Sequence, residues 1–248
     1  MNTIVVKDMD ISIQLGVITN VIGPSNSGKT TLLKKLCNKI DNSDVFIDDV
    51  PIKEYDITFL KNNLVMVLDD NQFNCEYVAE ELFYYLDKLG YRIDEVTKKI
   101  DTIAKYFKIN NLLDQRIDLL TLDKRILVKI LSFLIINPKI IGIDNLLLYL
   151  NKQHINLIIK YVKENNISLI NVTSDAEMLL LSDDVVVMNN FKAIICGNVN
   201  SVLEGNSILP YIGIKLPFAV DLSHNLILYG VVDKVMNDSR KMVDKIWK

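Results

Sequence analysis

The chain has 248 residues, 50% hydrophobic and 24% charged, enough for one sizeable core and too apolar for a disordered segment. Its net charge of −3 comes from interspersed acids and bases, which argues against a nucleic-acid partner. The mean hydropathy of +0.21 raises a membrane question, but the most apolar stretch, residues 126–150, is broken by Lys129, Asn137, Pro138, Lys139 and Asp144 and excludes a span. The opening MNTIVVKDMD shows no leader pattern, and three scattered cysteines fit reduced thiols in a cytosolic protein.

In chain order, VITNVI at 17–22 reads as a strand entering a glycine loop, and residues 30–38 as the helix leaving it. Residues 45–47 and 64–68 are short strand candidates, with the turn-rich DDVP between them. From 76 to 137 the pattern is helical, through EYVAEELFYYLDKLG, DEVTKKIDTIAKYF and DKRILVKILSFLII. Strands return at 139–143, 168–172, 184–188 and 192–196, with a helix at 152–164 between the first two. This alternation predicts an α/β fold with a parallel-sheet core wound by right-handed crossovers. The central helical block is too long for one crossover, so residues of about 75–137 read as an inserted helical subdomain within a domain of residues 1–205. Residues 206–248 read as a small C-terminal extension. In its tail Val235, Met242, Val243 and Ile246 fall on one helical face, either docked on the core or meeting a partner subunit.

The chemistry concentrates in GPSNSGKTTLL. Gly23, Gly28, Lys29 and Thr30 satisfy G-x-x-x-x-G-K-[ST] between a strand and a helix, the context that this phosphate-binding loop requires. Glycines let successive N–H groups turn toward one anion, and the helix adds the positive end of its dipole. Residues Gly23, Pro24, Ser25, Asn26, Ser27, Gly28, Lys29, Thr30 and Thr31 are therefore the expected nucleotide-binding set. Lys29 would reach the outer phosphates and Thr30 would ligate Mg²⁺. The second metal-side acid is Asp144, which closes the apolar run KIIGID.

With these segments in place the chain resembles the ATP-binding subunits of ABC transporters. MDISIQLGVITNVIGPSNSGKTTLL is similar to that family's entry strand and loop, SDVFIDDVPIKEY to its next strand and turn, NPKIIGIDN to its Walker B strand, and SDDVVVMNNFKAIICGN to its closing hairpin. LVMVLDDNQF and KLPFAVDLSHNLILYG look most like the energy-coupling (ECF-type) ATPases of cobalt and vitamin uptake. The resemblance implies a P-loop NTPase fold with ATP and Mg²⁺ as cofactors. It also implies an integral membrane transporter subunit and a second ABC ATPase subunit as partners, and a peripheral place on the cytoplasmic face of the cell membrane.

The same comparison exposes departures. The family's water-activating glutamate falls at Asn145, and its γ-phosphate histidine at Ser174; the two histidines present, His154 and His224, read as solvated or structural. The family's glutamine falls at Val67, with Gln72 matching a later position. The signature motif, which should carry two glycines, falls at Leu120, Thr121, Leu122, Asp123 and Lys124. The following D-loop becomes Leu148, Tyr149, Leu150 and Asn151, and no aromatic upstream of the loop is placed to stack on a base. No residue is assigned to catalysis. The expectation is a subunit that couples ATP binding to transport with weak or no hydrolysis, in a heterodimer rather than a homodimer. The alternatives are an active ATPase using another base such as Asp69 or Asp70, and a soluble P-loop kinase or nucleotide switch.

Overall fold

The computed structural model describes residues 1–70, 72–205 and 208–246, the side chain of Ile246 excepted. The chain opens with two short antiparallel strands, β1 (Thr3–Val6) and β2 (Ile11–Gln14), turned by a left-handed Asp10 at φ 53°. Next come β3 (Ile18–Ile22), α1 (Lys29–Leu36), β4 (Val45–Ile47), β5 (Val50–Pro51), α2 (Ile57–Asn63) and β6 (Leu64–Val67). The helices α3 (Val78–Lys88), α4 (Ile93–Phe107) and α5 (Leu122–Leu134) then intervene before β7 (Ile140–Asp144). After it follow α6 (Lys152–Glu164), β8 (Ser168–Thr173), β9 (Asp184–Asn189) and β10 (Lys192–Asn198). The described residues then end in the helices α7 (Val199–Glu204), α8 (Ile208–Tyr211), α9 (Phe218–Leu228) and α10 (Ser239–Ile246).

The strands form a larger and a smaller sheet. The larger runs in the order β10-β9-β3-β8-β7-β6, parallel throughout except for β10, which pairs antiparallel along one edge. Its inner strands β3, β7 and β8 are buried at every residue; they are mostly apolar, and the buried amides of Asn20 and Asn171 on neighbouring strands are hydrogen-bonded to each other at 2.6 Å. Edge strand β10 instead alternates exposed and half-buried residues. The smaller sheet, β2-β1-β4-β5, is antiparallel. The sequence pattern does not separate it from the main sheet, nor does it single out α2. In α2 the Asp56 carboxylate accepts from the N–H groups of Thr58 and Phe59, a cap that starts a helix with no fully buried residue.

The apolar core lies on both faces of the large sheet. Helix α4 turns Val96, Ile103, Ala104 and Phe107 inward, a stripe at helical spacing that packs with α3 and α5. Helix α1 lies between the two sheets. Gly142 on β7 lets it come close, because a Cβ there would strike Met66 and would lie 2.9 Å from a methyl of Leu33. Lys35 on α1, only 9% exposed, ties the helix to the smaller sheet through Asp8 at 2.6 Å and Asp44 at 2.7 Å. Between the C-terminal helices, Ser223 Oγ donates to the Ala219 carbonyl and accepts from the N–H of Met236, while His224 Nε2–H donates to the Leu203 carbonyl. The expected tail face is not found: Val235 precedes α10 and is half-buried, Met242 within it is buried and Val243 is 53% exposed, while the side chain of Ile246 lies outside the described residues. Among the described residues no helix is long and apolar enough to cross a membrane.

Candidate functional site

The loop leaves β3 at Ile22 and turns through two left-handed residues, Asn26 at φ 62° and Gly28 at φ 99°. Gly23 must be glycine, since a Cβ there would collide with the Met188 carbonyl of β9. At Gly28 a Cβ would lie 2.8 Å from the Phe191 ring, and its φ is one that side chains resist. The backbone N–H groups of Gly28, Lys29, Thr30 and Thr31 meet no acceptor among the described residues. They surround the N-terminus of α1, whose first turn carries no acid, so the helix dipole and the unspent donors point the same way. Ser27 and Gly28 are buried, Pro24, Lys29 and Thr31 half-buried, and Ser25, Asn26 and Thr30 exposed.

Lys29 folds over this cradle. Its Nζ donates to the carbonyls of Gly23 and Pro24, each at 2.8 Å, and to Ser27 Oγ at 3.3 Å. Burial pushes the ammonium's pKa down, with the nearby Asp144 charge opposing. Thr30 Oγ1 donates to Asp144 Oδ1 at 3.2 Å, so the two oxygen groups expected to hold Mg²⁺ are already neighbours. Asp144 is 8% exposed. Burial raises its carboxyl pKa, the Thr30 hydrogen bond opposes that, and the Asp69 charge adds to the rise. Hard oxygen ligands beside a ring of free N–H donors suit a magnesium-bound polyphosphate.

Parallel register sets the rest of the site. Ile22 pairs with Thr173, and Val172 with Asp144, so Gly23, Ser174 and Asn145 leave three adjacent strands at one sheet edge. That edge, outside the carboxyl ends of the strands, is where ligands of such sheets bind. Asn145 sits left-handed at φ 57°, a conformation that asparagine tolerates, and its N–H donates to the Val172 carbonyl at 2.9 Å. Its Oδ1 accepts from the Ser174 N–H at 3.3 Å and the Ser174 hydroxyl at 3.4 Å. The two departures read from the sequence therefore touch each other.

The other expected positions lie apart. Val67 is fully buried as the last residue of β6, and Gln72 is exposed. Asp70 pairs with Lys39 at 3.0 Å, while Asp69, whose carbonyl accepts from Lys129 Nζ at 3.3 Å, is the acid whose charge reaches Asp144. Leu120 is buried and Thr121 stands at the N-cap position of α5 without a side-chain capping bond, its hydroxyl donating instead to Asp123 Oδ1 at 2.6 Å, and Leu122 is 53% exposed. Leu148 and Tyr149 lie on a single 3-10 turn that also takes in Leu146 and Leu147, and Leu150 follows it. Asn151 caps α6 by accepting from the N–H of His154, whose ring Nδ1 is also paired with the Asn151 amide. Sequence reasoning missed Phe191. It lies left-handed at φ 63° in the β9–β10 turn, its N–H donating to the Ser27 carbonyl at 2.9 Å and its ring against Gly28.

Comparison with known proteins decides the family. The family model described as "ABC transporter" matches residues 6–147. The chain belongs to the ABC transporter family. It is similar to the energy-coupling factor transporter ATP-binding protein EcfA of Pediococcus pentosaceus, at 26% identity over 90% of this chain and 83% of that one. A second EcfA, from Onion yellows phytoplasma, is 25% identical over 98% of this chain and 93% of its own length. Among solved structures, cbiO1 from Clostridium perfringens, part of the ABC transporter complex cbiONQ, superposes with a TM-score of 0.69 at 24% identity, covering 87% of this chain and 91% of that one. A nucleotide-free ATP-binding cassette from an ABC transporter gives 0.71 at 20% identity, covering 87% of this chain and all of the other. The α/β cassette fold expected from the sequence is the fold found.

Proposed function

We propose that the chain is the ATP-binding subunit of an ECF-type importer, with weak or no hydrolysis of its own. It would comprise a nucleotide-binding domain of residues 1–205, with the helical insertion at about 75–137, and an extension of residues 206–248. It would dock on an integral membrane subunit from the cytoplasmic side and pair with a second, different ATPase subunit. The observation that carries this reading is the contrast at one sheet edge. Four N–H donors without acceptors among the described residues and the Thr30–Asp144 pair stand ready for a magnesium triphosphate, while Asn145 and Ser174 stand where a base and a histidine would act. The similarity to EcfA proteins supports the importer type.

In this reading the loop N–H groups and Lys29 hold the phosphates, and Thr30 and Asp144 hold Mg²⁺, which when bound offsets phosphate charge. The amide of Asn145 takes no proton from water at neutral pH, and loss of a general base costs on the order of 10²–10⁴ in rate. The helix end at Leu120–Lys124 would face a partner's nucleotide with an acid and side chains instead of a nest, so a homodimer lacks both halves of a working site. The purified chain should bind MgATP and release phosphate no faster than a Lys29→Ala control; turnover well above that control overturns the reading.

One observation favours a second reading. Asp69 lies near enough to Asp144 to raise its pKa, whereas Asp70 is held by Lys39. If Asp69 serves as the base, phosphate release is measurable in the unaltered chain, falls to background in Asp69→Asn and survives in Asp70→Asn.

A further inference from the structure

We propose that Phe191, in the turn between β9 and β10, is a positioning residue for the phosphate loop: it pins the Ser27–Gly28 peptide in the orientation that leaves the Gly28 N–H open to phosphate. The proposal rests on the nucleotide-binding reading above and adds to it what holds the loop in shape before nucleotide arrives.

The turn itself does not ask for a phenylalanine. Asn189 pairs with Lys192, so the hairpin closes through Asn190 and Phe191 alone, at φ 47° and 63°. Two successive left-handed residues make the tight turn that suits twisted strands, and Asn-Gly is its favoured sequence because glycine has no Cβ to resist the second position. Asparagine tolerates this conformation; a bulky aromatic is an outlier in it. Burial does not explain the choice either, since Phe191 is 53% exposed. Such strain persists only where the surroundings fix the residue, and it gathers at ligand-binding sites.

The surroundings here are the loop. The Phe191 N–H donates to the Ser27 carbonyl at 2.9 Å. In a planar trans peptide the carbonyl and the N–H that follows it point opposite ways. With the Ser27 oxygen turned to the hairpin, the Gly28 N–H is turned away from it, and it meets no acceptor among the described residues. Glycine is needed at position 28 for its φ of 99°, but it is also the residue whose backbone rotates most freely. The ring limits that freedom. A Cβ built on Gly28 would lie 2.8 Å from the ring, 3.1 Å from Phe191 Cα and 3.2 Å from Met9 Cε, so the space into which the backbone would turn is already filled. The start of the loop meets the same hairpin, with Gly23 against the Met188 carbonyl. Lys192 is paired with Asp10 at 2.7 Å, which joins the turn to the one between β1 and β2. Gly28 thus supplies the conformation, and Phe191 removes the alternatives to it.

The test is equilibrium binding of a non-hydrolysable MgATP analogue and of magnesium tripolyphosphate, which has no base, to the full chain and to Phe191→Gly and Phe191→Asn. Both variants accept the left-handed backbone and keep the N–H, so only the ring is lost. Each should bind both ligands about three- to tenfold more weakly, as expected when the binding-competent loop falls to between about a third and a tenth of the population. The melting temperature should hold or rise as the left-handed strain is relieved. Phe191→Tyr, which keeps the ring, should match the unaltered chain. Unchanged affinities in the Gly and Asn variants overturn the proposal. A loss confined to the MgATP analogue also overturns it, because the ring then acts on the base. A melting temperature that falls in step with affinity marks a packing residue and overturns it as well. So does an unaltered chain that binds the analogue but not tripolyphosphate, because a loop held ready for phosphates takes the phosphate chain by itself. All of these leave nucleotide binding standing; binding of neither ligand by the unaltered chain overturns both readings.

Discussion

Two helix N-termini in this molecule began from similar requirements and ended differently. Helix α1 opens on Gly28 with no acid in its first turn and with four N–H groups unspent among the described residues. Helix α5 opens on Thr121, with Asp123 in its first turn bonded to the Thr121 hydroxyl. The first end leaves its dipole without a local negative charge; the second has brought its own. A helix dipole is thus not enough to mark an anion site. The N–H groups of Leu122, Asp123 and Lys124 meet no acceptor among the described residues either, so what separates the two ends is the glycine loop before α1 and the absence of a carboxylate in its first turn.

The comparison is broken most severely at α1. Lys29→Ala should weaken MgATP binding by about 10²-fold, the loss of a half-buried ammonium's contact with phosphate, as read by calorimetry. Gly28→Ala should lower both nucleotide affinity and thermal stability, because a methyl at φ 99° also meets the Phe191 ring. At α5 the effect should be smaller and opposite in kind. Asp123→Ala removes a favourable first-turn acid and should cost about 0.3–1 kcal/mol in denaturant unfolding, while easing any nucleotide-dependent self-association seen by sedimentation.

The smallest effect is a pH dependence at the metal side. Burial raises the Asp144 carboxyl above its ordinary value of 3.8. The folded chain therefore binds this proton at a higher pH than the unfolded chain, and this group alone makes stability rise as pH falls through the folded pKa, levelling off below 3.8. Asp144→Asn should flatten that segment of the stability curve, raise the melting temperature slightly at neutral pH and abolish the Mg²⁺ dependence of nucleotide binding. A steeper curve in the variant would contradict the assignment.

Much of the large sheet was legible in the sequence because fully buried parallel strands are rich in β-branched apolar residues, as IIGID and VVVM are, and even β3 keeps Ile18, Val21 and Ile22 around its buried Thr19 and Asn20. The loop was legible because its glycines answer to local backbone demands. The smaller sheet was not: TIVV and ISIQ are four residues each, with every second residue less than fully buried, and their pairing depends on the left-handed Asp10 between them. Nor was the Asn145–Ser174 contact, which joins residues 29 apart through the β7–β8 register. Substitutions at the two positions could be read one at a time from the sequence; that they complete each other's hydrogen bonding could not. Phe191 escaped for the same reason, reaching the loop only by way of the β9–β10 hairpin.

Lys29 carries a last consequence. Its three protons are already engaged by Gly23, Pro24 and Ser27. A nucleotide entering the cradle would compete with the protein's own carbonyls for them, so capture would be an exchange of partners and not a simple addition. The heat of binding should then be small for a ligand held by so many hydrogen bonds. The association rate should also be limited by the swing of one side chain as well as by diffusion, giving the loop a gate that consists of a single ammonium group.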